Sequence, residues 1–144
     1  NEYLRHGTKH DQVLVNIKRF IELQNEINLN VIARPTVTIL NVYHLPETLE
    51  WLDEKNIKHN ATHLTHPTHL SVTVLPDSAK KLISEKFDNY NFKNETTRKS
   101  CEYIKNYMMS KDDSNLFAEF KRHTEFLDNK RSEKFKDSYP YFDF

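Results

Sequence analysis

Four histidines crowd one short stretch, "KHNATHLTHPTHL": His59, His63, His66 and His69. Imidazole is a good ligand for Zn, Ni or Cu, and Asp53 and Glu54 lie in the same region. The cluster is not a His-x3-His pair on one helix, however, Pro67 interrupts it, and no cysteine is near. A solvated or hydrogen-bonded histidine cluster without metal is therefore expected. Arg5, near the start, carries a guanidinium fork, a group able to bind a carboxylate through two parallel hydrogen bonds. Its plainer use is a surface arginine at a helix entry. Asn41 closes an apolar run, where it could face a pocket or simply form a turn or cap a helix. His44 follows close by and could line the same mouth. No Ser/His/Asp or Cys/His triad can be read from spacing, since triad members meet only in space.

The elements that must position these residues follow from composition and periodicity. The chain has 144 residues, with 21 Lys plus Arg balanced by 21 Asp plus Glu. No global field points to nucleic acid or an acidic membrane. The Lys/Arg/Phe mixture of "FAEFKRHTEFLDNKRSEKF" also carries acidic residues, and its Phe spacing reads as an amphipathic packing helix. No apolar run approaches the ~20 residues that span a bilayer. Cys101 is the single cysteine, which excludes an intrachain disulfide and fits a reducing, cytoplasmic setting. Asn60-Ala-Thr62 and Asn94-Glu-Thr96 match the glycosylation pattern but are discounted without a signal peptide. Gly7 is the single glycine, too few for a phosphate- or dinucleotide-binding loop.

Val13, Ile17, Phe20, Ile21 and Ile27 predict a helix from Asp11 to Ile27, with Lys18, Arg19, Glu22 and Gln24 on its wet face. "TVTIL" predicts a strand covered on both faces, pairing at or after Pro35 and ended by Asn41. "LPETLEWLDEKN" predicts a short helix entered at Pro46. "IKHNATHLTHPTHLSVTVLP" predicts a strand region interrupted around Pro67, with "HLSVTVLP" its clearest part, and Asp77 and Ser78 are candidate caps for a helix carrying Ala79, Leu82, Ile83 and Phe87. Parallel strands are thus expected near 36–41 and 69–75, in βαβ alternation. After a polar linker come helices over 96–109 and 114–131, and an aromatic tail, "KFKDSYPYFDF", that packs down as a loop.

The ordered stretches "NEYLRHGTKHDQVLVNIKRF", "TVTILNVYHLPETLEWL", "HPTHLSVTVLPDSAKKLI" and "FLDNKRSEKFKDSYPYF" together resemble the C-terminal half of a radical S-adenosylmethionine enzyme of the twitch- or SPASM-related type. The resemblance covers nearly the whole chain. It implies an α/β fold, the C-terminal portion of a partial (β/α)6 barrel over residues 1–88, with a helical C-terminal extension over 89–144. It implies that the first four strands and the CxxxCxxC loop of the 4Fe–4S cluster lie outside this chain, which would be a fragment. It places Arg5, in Glu2-Tyr3-Leu4-Arg5, on the carboxylate of S-adenosylmethionine, and Asn41 at the cofactor-binding mouth of the barrel. Cys101 alone cannot hold an auxiliary cluster.

Two functions follow. In one, the parent cleaves S-adenosylmethionine reductively at its 4Fe–4S cluster and modifies an unknown substrate by radical chemistry. This stretch, inactive alone, supplies cofactor and substrate pocket walls and has the missing barrel half as its partner. In the other, the chain is a non-catalytic small α/β binding or interaction domain that forms a homo-oligomer. A half-barrel should leave the edge of "TVTIL" and faces of the Val13–Ile27 helix exposed, which favours association. No membrane or nucleic-acid partner is expected.

Overall fold

A computed structural model describes residues 2–27 and 29–140. In chain order it holds α1 (His10–Glu26), β1 (Ile32–Ala33), β2 (Thr36–Val37), α2 (Leu45–Glu54), β3 (Lys58–His59), β4 (Thr62–His63), α3 (Asp77–Asn89), α4 (Glu95–Met109), α5 (Phe117–Arg131) and α6 (Phe135–Ser138). Short 3-10 turns at Val42–His44, Thr68–Leu70, Val72–Val74 and Ser114–Leu116 join them.

Each body helix is amphipathic for a visible reason. In α2, Leu45, Leu49 and Leu52 recur on one face and are all buried, and Pro46 sits in the first turn, where its missing N–H costs nothing. In α4, Thr97, Cys101, Ile104 and Met108 form one buried stripe. Its start is capped by Asn94, whose Oδ1 accepts the Thr96 N–H at 2.9 Å. In α3 the buried face is Lys80, Ile83 and Phe87. The Lys80 stem lies in the core while its Nζ donates to the Lys111 carbonyl at 3.1 Å. These stripes meet Val37, Ile39, Val42, Val72, Val74 and Leu75 in one hydrophobic cluster. Phe135 and Tyr139 close it from the C-terminal side. The tail expected to pack down as a loop is packed but turns into α6, and its residues 141–144 lie outside the described residues.

The pairing is parallel, with α2 as the crossover. β1 runs beside β3 (Ile32↔Lys58, Ala33↔His59) and β2 beside β4 (Thr36↔Thr62, Val37↔His63). Pro35 lies between the two short ladders; it has no N–H to give, but its carbonyl accepts the Thr62 N–H at 3.0 Å.

The fold class read from the sequence is overturned. The protein is mostly helical, with two small two-stranded parallel sheets, and is not a portion of a (β/α)6 barrel. The run at 69–75 is not the second strand. It coils into 3-10 turns, in which the Val74 N–H returns to the Ser71 carbonyl at 3.1 Å. The Thr73 hydroxyl there donates to Asp113 at 2.8 Å, giving the segment a polar anchor that a strand would not need. "TVTIL" is a strand only over Thr36–Val37, because the chain turns at Thr38 and the Val42 N–H bonds back to the Thr38 carbonyl at 3.1 Å.

Candidate functional site

Arg5 lies in an exposed turn whose carbonyl accepts the Thr8 N–H at 2.9 Å. Among the described residues its neighbours, rather than its guanidinium, make the side-chain contacts. The Tyr3 hydroxyl donates to Asp128 at 2.7 Å, Arg131 donates to the Tyr3 carbonyl at 3.2 Å, and His6 meets Glu133 at 2.8 Å. Glu2 accepts the His10 N–H at 3.0 Å, at the first turn of α1. Burial and the adjacent Asp128 hold the Tyr3 phenol well above its ordinary range.

Asn41 is consumed by the backbone. Its Oδ1 accepts the Thr38 N–H at 2.8 Å and its Nδ2 donates to the Thr36 carbonyl at 3.0 Å. Residues 33, 35 and 37 turn their carbonyls to the 60–64 segment. The Thr36 carbonyl therefore faces the opposite edge of the ladder. One amide thus stands in for a neighbouring strand on the edge that was expected to lie bare. No hydrogen bond or ion pair joins Asn41 to Arg5 among the described residues. His44 precedes α2, and burial, then the charge of Lys86, push its imidazole down.

The four histidines scatter. His63 stacks on Tyr107 with ring centroids 3.6 Å apart and bonds Tyr103 at 2.8 Å. His66 is exposed. His69 turns to Glu119 at 3.4 Å and to the His123 ring at 4.9 Å. Among the described residues, no three His, Cys, Asp or Glu side chains form a group that could hold a metal ion.

His59 belongs to a cluster that sequence reasoning missed. Its Nε2 lies 3.0 Å from Asp53 Oδ1, while the Thr97 hydroxyl donates to Asp53 Oδ2 at 2.6 Å. A hydroxyl, an imidazole and a carboxylate together suggest a nucleophile, but the polarity is wrong. The carboxylate only accepts, so Nε2 carries the proton, and both His59 and Thr97 donate to the same Asp53. The other ring nitrogen, Nδ1, is buried and without a partner, while the hydroxyl lies 3.3 Å from Nε2, the atom already turned to Asp53. Nothing in the sequence signals this cluster, since Thr97 stands 44 residues beyond Asp53.

Cys101 is likewise inert. Burial, then the Glu47 and Glu50 carboxylates, push its thiol up to about 12. A shallow depression of about 570 Å³ is lined by Glu125, Asp128, Asn129, Ser132, Glu133 and Lys134. Two of its acids are engaged, since Asp128 also accepts the Phe135 N–H at 2.8 Å and Glu133 Oε1 meets His6, while Glu133 Oε2 is buried without a partner.

Large apolar side chains stand exposed on several helices, among them Leu82, Met109 and Phe126, and along α1 they line up. This helix reaches the core through Ile17 and Ile21. Beside them Val13, Phe20 and Ile27 stand 36%, 52% and 66% exposed. They are seven residues apart, so they form one stripe that drifts by only ~20° per step. Among the described residues no helix is long and apolar enough to cross a membrane. Compared with protein families, curated proteins and solved structures, the chain shows no match.

Proposed function

We propose that this chain works as a non-catalytic interaction domain that presents α1 to a partner. The observation that carries this reading is the exposed stripe of Val13, Phe20 and Ile27, large apolar side chains that the fold does not cover. The hydrogen bonds of Asp53, His59, Thr97 and Asn41 point the same way, because each joins two parts of the body. A cytoplasmic setting, where one free thiol stays reduced, belongs to the same proposal.

The experiment is Phe20→Glu, measured at low protein concentration, about 2 μM, by urea unfolding and by binding of an apolar dye. A side chain kept for a partner contributes little to the fold. Stability should therefore stay within ~0.5 kcal/mol of the parent while dye fluorescence drops. A loss of more than ~2 kcal/mol would make Phe20 a core residue and end the reading.

The radical-enzyme function is the second reading, and its residue-level support is Arg5, whose exposed guanidinium is open to a carboxylate. In that reading S-adenosylmethionine and the 4Fe–4S cluster belong to a parent enzyme, and this chain supplies pocket wall. Titration calorimetry with S-adenosylmethionine separates the two. Heat that vanishes in Arg5→Ala favours the second, and no heat favours the first.

A further inference from the structure

We infer that the partner of α1 is a second copy of this chain, docked antiparallel about a two-fold axis at Phe20. The pairing rests on the interaction-domain reading. Its basis is the symmetry of the stripe about its own centre. Val13 and Ile27 lie equally far from Phe20 along the helix, and so do Ile17 and Leu23. An isologous contact demands this, because residue i must meet j while j meets i. With Phe20 on itself, Val13 of one copy faces Ile27 of the other.

Charge supports self-pairing too. Within ~60° of Phe20 around the helix lie Val13, Asn16, Ile17, Leu23, Gln24 and Ile27, all uncharged, and at the N-cap Lys9, whose charge in an antiparallel pair lies a helix length from its own counterpart. Lys18 and Glu22 fall on the opposite wall, about 160° away. Two copies can therefore meet along this strip without placing like charges in contact. The apolar face is on the order of 300 Å² per copy, counting ~200 Å² for a free large side chain. With its rim the pair covers about 1,000 Å², the low end for specific association. The dimer should accordingly be weak, with a Kd of about 10–100 μM.

The test needs no variant at first. Sedimentation velocity from about 2 to 300 μM should show monomer giving way to dimer, and Phe20→Glu should raise the Kd at least ~10-fold while leaving the circular dichroism unchanged. Register is then read by disulfide trapping, with Cys101 buried and out of competition. Val13→Cys mixed with Ile27→Cys should cross-link at least ~10 times faster than Val13→Cys alone. Faster linking of Val13→Cys to itself would mean a parallel pair and overturn the proposal. A native chain still monomeric at 300 μM would also overturn it. If Phe20→Glu were then as stable as the parent, the interaction reading would survive with a different partner. If it were strongly destabilised, both would fall.

Discussion

Replacing Asn41 by Ala removes the side chain that finishes the open edge of the ladder. It breaks the bond from the Thr38 N–H (2.8 Å) and the bond to the Thr36 carbonyl (3.0 Å). Each such bond contributes ~1 kcal/mol net, because water takes up part of the loss at a half-buried site. The expected destabilisation is about 2 kcal/mol, read as a lower urea midpoint at constant slope. For a chain of this length that corresponds to a melting point lower by roughly 4–8 °C. Asn41→Asp is the control. It keeps an acceptor for the Thr38 N–H but turns an oxygen toward the Thr36 carbonyl, so at neutral pH it should lose at least ~1 kcal/mol. Protonating the new carboxyl restores a donor, and the deficit should shrink below about pH 4. If Asn41→Ala cost less than ~0.5 kcal/mol, the edge would not depend on this amide, and Asn41 would again be open to a ligand role.

Three further outcomes are expected. Thr97→Val keeps the shape of a buried side chain but removes the donor to Asp53 Oδ2, and should cost about 1–3 kcal/mol in urea unfolding. Burial holds the Cys101 thiol and the Tyr90 and Tyr139 hydroxyls each up to about 12, above their unfolded values. The unfolded chain therefore loses these protons first, so stability should fall as pH rises from about 9 towards 12, and Cys101 should react with a thiol reagent only on unfolding. His44 and His123 are pushed down, each chiefly by burial. The unfolded chain then binds protons that the native one refuses, so stability should decline as pH falls through about 6.5, and the double variant His44→Gln/His123→Gln should flatten that slope in a pH series of melting curves.

The helices were legible because their stripes are local. Asp11–Ile27 was expected and His10–Glu26 is found; the helix over 96–109 is found at Glu95–Met109. Periodicity of 3.6 and a proline or asparagine at the entry carry that information within a few turns. The strands were legible only in part, for the opposite reason: Thr36–Val37 and the pairs at 58–59 and 62–63 fall within the expected strand regions, and the run at 69–75 does not form one. β-Branched residues at 69–75 favour a pleated surface only where a neighbour supplies one, and here the neighbour of Thr36–Val37 is the polar, histidine-rich segment at 62–63. The site fared similarly. That Asn41 serves a turn was among the uses its residue type allows, whereas the Asp53–His59–Thr97 cluster depends on α4 lying across α2, which no short stretch of sequence records.

The anchoring of α1 has a consequence for recognition. Before the helix, Tyr3 and His6 are fastened to Asp128 and Glu133 of the α5–α6 region. After it, the Val31 N–H bonds Gln24 Oε1 at 2.9 Å, just ahead of β1. The helix is therefore slung between two fixed points like a handle, with its outer side bare. A partner gripping it finds an already ordered surface and spends little conformational entropy on arrival. The same fastening makes the grip communicative: cutting Tyr3 from Asp128 with Tyr3→Phe should loosen the handle and speed amide exchange along α1, weakening partner capture at a distance from every residue the partner touches.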